Sequence, residues 1–135
     1  MKKLFSTSCS ENSFSFAMLV LRLGAGLLIM VHYGLDKLMH FARYAQKFPD
    51  PFHIGQTATL SMVIFAEFFC GAFIVLGLFT RLAAIPLIIV MSVALLSAHK
   101  GDFFGAGLSA GLFLCCFITL LFTGAGKVSL DRFLI

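Results

Sequence analysis

Long apolar stretches alternate with short polar ones along this chain, and the pattern predicts four helices. The apolar stretches cover about residues 14–39, 57–79, 82–98 and 106–123. Each approaches the roughly 20 residues that a helix needs to cross hydrocarbon. Pro49 and Pro51 mark the polar linker 40–56 as a loop. The chain is therefore predicted to be all-α, a single antiparallel four-helix bundle in a membrane, followed by a short interfacial tail over residues 124–135.

The composition supports lipid as the main solvent. Of the 135 residues, 60% are hydrophobic, whereas Lys and Arg number 10 and Asp and Glu number 6. So few charged side chains cannot cover a water-exposed surface. The net charge of +4 is scattered over the chain, without the basic helix or tail of a nucleic-acid-binding protein. We therefore expect contact with the lipid bilayer and no nucleic-acid partner.

The positive residues outside the apolar stretches predict the orientation. Four crossings place both termini on one side of the membrane, and no apolar run of a cleaved signal precedes Glu11. The terminal side carries five cations: Lys2, Lys3, Arg81, Lys127 and Arg132. The other side carries four: Lys37, Arg43, Lys47 and Lys100. This excess favours cytoplasmic termini.

Two opposite charges lie inside the apolar stretches. Arg22 lies about 12 Å from the terminal side and Glu67 about 18 Å from it, at the rise of an α-helix. A lone arginine and a lone carboxylate in hydrocarbon each gain from a partner. The sequence therefore predicts a contact between Arg22 and Glu67 inside the bundle. Whether such a pair only fixes the helix register or forms a functional site stays open.

A second polar group is predicted at the loop side of the bundle. It comprises His32, Tyr33, Lys37 and His99. Imidazole titrates near neutral pH, so two histidines at one level suggest a proton-active or quinone-contacting group. Each histidine taken alone is more often an interfacial hydrogen-bonding residue, and both interpretations stay open. No metal site is predicted, because neither HxxxH nor CxxC spacing occurs.

Small residues in the fourth stretch, Gly107 and Gly111, are spaced for close helix packing. The contact can lie within one chain or between subunits. Both options stay open, so a homo-oligomer is one of the alternatives.

These motifs together resemble the DoxX family. RLGAGLLIMVHYGLDKL, residues 22–38, resembles its R-x3-G…H-x-G-x2-K signature. The resemblance continues through Glu67 in FAEFFCGAFIVLGLFTRLAA, then His99, and ends in a G-x-G-x2-SLD pattern at residues 124–131. It implies a four-helix integral membrane protein, of the bacterial cytoplasmic membrane. DoxD-like relatives are membrane subunits of a thiosulfate:quinone oxidoreductase, and they carry an extra domain that these 135 residues lack.

The resemblance and the polar residues together favour a membrane subunit of a quinone- or thiol-linked redox complex. The candidate catalytic residues are Glu67 as acid or base, Arg22 as its counter-charge, and His32 and His99 as hydrogen-bonding groups. Tyr33 and Lys37 are candidates for binding a quinone. No motif for an intrinsic cofactor occurs, so an oxidoreductase partner in or on the membrane is expected to supply the redox centre. The alternatives are a non-catalytic anchor or scaffold, and a small-solute or proton pathway formed by an oligomer.

Overall fold

The computed structural model describes residues 8, 10–46, 48, 50, 53–98, 107–127 and 129, with the backbone alone at 97 and 98. Throughout this part the chain is all-helical and has no strand, as predicted. The helices are α1, Glu11–Met39; α2, Phe41–Ala45; α3, Gln56–Leu76; α4, Thr80–Val93, which continues over Ala94–Ala98; and α5, Leu108–Thr123.

The helix ends follow from local capping chemistry. Ser10 accepts a hydrogen bond from the amide of Ser13 at 3.1 Å, so α1 begins three residues before its predicted start. Gly77 adopts a left-handed conformation with φ 73° and ends α3. The linker that was predicted as a loop contains the short helix α2, because the prolines that break helices come only after it.

Wider π-helical turns interrupt three of the helices. They occupy Leu28–Leu35 in α1, Phe65–Cys70 in α3 and Ala94–Ala98 after α4. The π segments of α1 and α3 pack against each other. A sequence pattern based on 3.6 residues per turn does not detect such segments, which occur preferentially at functional sites.

The helices pack in the order α1, α3, α4 and α5, and α5 returns to contact α1. Glycines allow the backbones of α1 and α3 to approach closely. A Cβ atom at Gly26 would lie 2.7 Å from Val75 Cγ2, and one at Gly34 would lie 2.8 Å from the backbone nitrogen of Phe68. Any larger residue at Gly34 would therefore push the two helices apart.

The outer surface of the packed helices is apolar, with exposed leucine, isoleucine and phenylalanine side chains on all four long helices. Two helices, Glu11–Met39 with 29 residues and Gln56–Leu76 with 21, are long and apolar enough to cross a membrane. Two shorter apolar helices cover Thr80–Leu96 and Leu108–Thr123. This surface is typical of a protein whose solvent is lipid.

The described part of the tail packs against the first turns of α1. The amide of Lys127 donates to Ser15 Oγ at 3.3 Å, and its Nζ lies 2.7 Å from Glu11 Oε2. Gly126, at φ 86°, lies against Met18. These contacts show that the start of α1 extends past the end of α3, where the tail fills the space beside it.

Candidate functional site

A buried ion pair joins the end of α1 to the middle of α3. Lys37 Nζ donates to both carboxylate oxygens of Glu67, at 2.8 Å and 3.0 Å. The Glu67 side chain is 2% exposed and that of Lys37 is 15% exposed. Glu67 belongs to the π segment of α3, and the adjacent Gly34 lets α1 reach its backbone. The pair therefore lies where the two π segments meet.

The predicted pairing of Arg22 with Glu67 is wrong. Arg22 is buried, and its Nη1 donates to the carbonyl oxygen of Val75 at 3.3 Å. Val75 is eight residues from Glu67, which is about 12 Å along an α-helix. The two depths were counted from the ends of different helices, and those ends are not level.

Side-chain direction separates the two charges further. Helical side chains lean toward the N-terminus of their own helix. Arg22 therefore leans toward the terminal side, whereas Glu67, on the antiparallel α3, leans toward the loop side. Lys37 leans back along α1 and meets Glu67. Direction was the signal in the sequence that could have selected Lys37 as the partner.

Tyr33 connects the ion pair to α5. The Lys37 Nζ lies 5.3 Å from the centre of the Tyr33 ring, within the range of a cation–π interaction. The Tyr33 hydroxyl donates to Ser109 Oγ at 3.2 Å, and its ring meets Phe113 edge-on at 5.9 Å between centroids. The structure thus brings Glu67, Lys37 and Tyr33 together, and it adds Ser109, which was not among the candidate site residues.

The two candidate histidines are not both part of this arrangement. His32 is exposed on the outer side of α1, where its ring contacts Tyr33 edge-on at 4.8 Å between centroids. His99 lies outside the described residues. The predicted meeting of the two histidines stays a prediction.

A second polar cluster anchors α2 to the end of α1. Asp36 accepts a hydrogen bond from the Tyr44 hydroxyl and lies 3.2 Å from His40 Nδ1. The hydrogen bond to Asp36 raises the pKa of Tyr44 above its ordinary value, and desolvation raises it further. The negative charge of Glu67 also raises the Tyr44 pKa. The cluster thus holds α2 against the end of α1.

One comparison with known proteins identifies the family. The DoxX family model matches residues 17–100, more than half of the chain. The chain belongs to the DoxX family. No curated protein and no solved structure matches it. DoxX proteins are membrane proteins, often associated with redox processes, so this chain is an integral membrane protein.

The DoxX match covers both members of the ion pair but leaves out all of α5 and the tail. Arg22, His32, Lys37 and Glu67 lie inside residues 17–100. Ser109, the partner of Tyr33, lies beyond them.

The described part of this DoxX chain holds three cysteines and a few potential metal ligands. No group of three or more His, Cys, Asp or Glu side chains that could hold a metal ion occurs among the residues that the structure describes. Cys70, Cys115 and Cys116 are free thiols, and Cys70 is buried. At the site itself, Lys37, Glu67 and Tyr33 supply hydrogen-bonding groups.

Proposed function

We propose that this DoxX protein is the membrane subunit of a redox complex, and that its Lys37–Glu67 pair forms part of a quinone-binding site. The buried ion pair is the observation that carries the proposal. Ionisable residues inside a membrane are rare and costly, and they usually serve transport, proton transfer or ligand binding. The π-helical segments on both sides of the pair support a functional role as well.

The proposal includes four crossings of a bacterial cytoplasmic membrane, with cytoplasmic termini. The apolar helices Thr80–Leu96 and Leu108–Thr123 are shorter than the other two. At helical rise they extend about 25 Å, which a bilayer accommodates by local thinning. Exposed apolar side chains on α4 and α5, such as Leu82 and Leu112, support this arrangement.

The donor groups near the pair suit a quinone carbonyl. An ammonium group has three N–H donors, and Glu67 accepts from Lys37 Nζ through two oxygens. Glu67 fixes the position of the Lys37 Nζ, so that the remaining N–H donor is available beside Tyr33. A bound quinone would accept electrons and protons. We assign electron delivery to an oxidoreductase partner, because the sequence has no motif for a flavin, haem or iron–sulfur centre.

In this proposal Lys37 takes the counter-charge role that the sequence assigned to Arg22. Arg22 holds the end of α3 through the carbonyl of Val75. His99 stays a candidate for contact with the quinone.

A scaffold role is the second candidate, and one observation favours it. Both oxygens of Glu67 are already satisfied by Lys37 in a nearly dry environment. Fixing the helix register can be the sole role of such a pair. The scaffold reading requires the pair for folding but not for quinone binding.

Tyrosine fluorescence offers a direct test. The chain has no tryptophan and two tyrosines, Tyr33 and Tyr44. In a Tyr44→Phe protein in liposomes, which contain no other protein, emission therefore reports on Tyr33 alone, next to Lys37. Titration with decylubiquinone is expected to quench this emission saturably. Replacing the pair together, Lys37→Met with Glu67→Gln, should weaken binding about tenfold or more, the worth of one charge-assisted hydrogen bond.

The matched control is Lys127→Met, which removes a lysine from an exposed pair with Glu11. It should leave the titration unchanged. The Tyr44→Phe protein, its double variant and its Lys127→Met variant are compared. Equal quenching in all three that rises in proportion to the quinone dissolved in the lipid would contradict quinone binding. If the two single variants then unfold while the double variant folds, the scaffold role is supported instead.

A further inference from the structure

The outer face of α1 carries a histidine that nothing in the described chain satisfies. We define this face by four exposed residues, Gly24, Leu28, Val31 and His32. The His32 ring contacts Tyr33 edge-on. No hydrogen bond or ion pair joins it to another described residue. An imidazole has one donor and one acceptor nitrogen when neutral, and both remain open to a partner.

The depth of His32 makes its exposure costly. Gly34, two residues further along α1, packs on the backbone of Glu67 and Phe68, which lie near the middle of α3. His32 is about 3 Å from that level at helical rise. With α3 crossing the bilayer, as proposed above, His32 lies deep in the hydrocarbon. Histidines at such depth almost always face protein or water, so a polar group of another molecule is expected there.

Gly24 on the same face points to a second helix. A Cβ atom built on Gly24 would meet no atom within 4 Å, whereas one at Gly26, Gly34 or Gly71 would contact a neighbouring helix. Glycine weakens a helix, and no packing contact with the residues that the structure describes compensates for that at Gly24. Exposed glycine on a membrane helix allows the close approach of a partner helix.

We propose that a second copy of this chain packs on the outer face of α1, around His32. A twofold axis along the membrane normal brings each residue near its own counterpart at the same depth. Imidazole suits such a contact, because its donor nitrogen can bond the acceptor nitrogen of another imidazole. The flanking Leu28 and Val31 are 61% and 53% exposed and uncharged, so two copies meet without repulsion.

The first test places cysteines on two outer faces and measures oxidative cross-linking in liposomes. The background replaces Cys9, Cys115 and Cys116 by alanine, so that the buried Cys70 is the one native thiol left. Leu28→Cys should yield covalent dimers. Leu82→Cys, on the exposed side of α4, should yield few. Equal yields, or a higher yield at Leu82→Cys, would overturn the proposal.

The second test measures the dimer by energy transfer between donor- and acceptor-labelled full-length chains over a range of protein-to-lipid ratios. His32→Leu should weaken dimerisation roughly threefold to thirtyfold, the range that interhelical hydrogen bonds give in membranes. Gly24→Leu should weaken it as well, because the added side chain blocks close approach. Ala58→Leu adds similar bulk to the exposed side of α3 and should leave the dimer intact.

A chain that stays monomeric at every ratio, or a dimer that His32→Leu and Gly24→Leu leave unchanged, would overturn the inference. The inference depends on the proposed crossing of the membrane and not on quinone binding. The quinone titration can therefore fail while the dimer persists, and Gly24→Leu can abolish the dimer while the titration is retained.

Discussion

At the scale of single residues, replacing Lys37 should destabilise the protein more than replacing its partner Glu67. Lys37→Met leaves a carboxylate with a 2% exposed side chain unpaired. Loss of one partner of a buried pair typically costs about 3–5 kcal/mol. Glu67→Gln should cost less, because the more exposed Lys37 can turn its long side chain toward polar surroundings. The double variant should regain most of the stability. Unfolding by SDS in mixed micelles, followed by circular dichroism, measures all three.

The control for this cycle is Lys127→Met. Its partner Glu11 is exposed, and exposed ion pairs contribute little to stability because solvent screens them. If the losses in the single variants simply add up in the double variant, Lys37 and Glu67 are not coupled and the ion pair does not stabilise the protein.

Sequence reasoning selected Arg22, Lys37 and Glu67 as the charges that matter, because charges inside apolar runs are conspicuous. It then paired the wrong two. Depth along a helix can be counted from a sequence, but the count needs a common origin for both helices. Because α1 starts beyond the end of α3, the two counts do not begin at the same level. The position of α1 depends on contacts such as that of Lys127 with Ser15, two residues that are far apart in the chain.

At the scale of the elements, the start of α3 depends on one aspartate outside the membrane. Asp50 accepts hydrogen bonds from the amides of Ile54 and Gly55, at 3.0 Å and 2.8 Å, and from the Thr59 hydroxyl at 3.0 Å. Desolvation raises the pKa of Asp50, but the hydrogen bonds from Gly55, Thr59 and Ile54 together outweigh it. The Asp50 pKa therefore lies below its ordinary value.

A lowered carboxyl pKa stabilises the folded state at pH values above the unfolded pKa, about 3.9 for aspartate. This stabilisation is lost as the pH falls through the lower pKa of the folded protein. We expect hydrogen exchange at the amides of Ile54 and Gly55 to be slow near pH 6 and to lose protection below about pH 4. Asp50→Asn should show weaker protection without this pH dependence. Equal protection in both proteins at pH 6 would contradict the role of Asp50.

The apolar runs were sufficient to predict that the chain is helical, since the length and hydropathy of each run leave little choice. They did not predict the π segments or α2. A π turn depends on how two helices fit together, as where Gly34 meets Phe68. The short helix α2 is held by the bond of Tyr44 to Asp36, which becomes apparent only when the chain direction after Met39 is known.

At the scale of the whole molecule, three segments that are distant in sequence converge on Gly77. A Cβ atom at this position would come within 2.3 Å of Arg22 Nη1 and 2.4 Å of Ser129 Cβ. Gly77 thus provides the space in which α1, the turn after α3 and the tail meet. This junction lies at the terminal side, about 15 Å along the direction of α3 from Glu67.

We therefore expect Gly77→Ala to act like removal of the tail. The substituted alanine would occupy the space of Arg22 and Ser129, and it would have to adopt φ 73°, which alone costs about 1–2 kcal/mol. Hydrogen exchange should accelerate in the first turns of α1 and at the turn after α3. A chain that ends at Thr123 should show the same change, because both variants release the tail from α1.

Gly55→Ala separates backbone strain from the loss of space. Gly55 also has a positive φ, 108°, but a Cβ atom there would meet nothing within 4 Å. Its substitution should disturb the start of α3 and leave the tail protected. If Gly77→Ala changes exchange only around residue 77, the tail does not depend on this junction. If the tail does depend on this junction, the amides of Lys37 and Glu67 should still be protected from hydrogen exchange, since the contacts of these two residues lie on the far side of Val75.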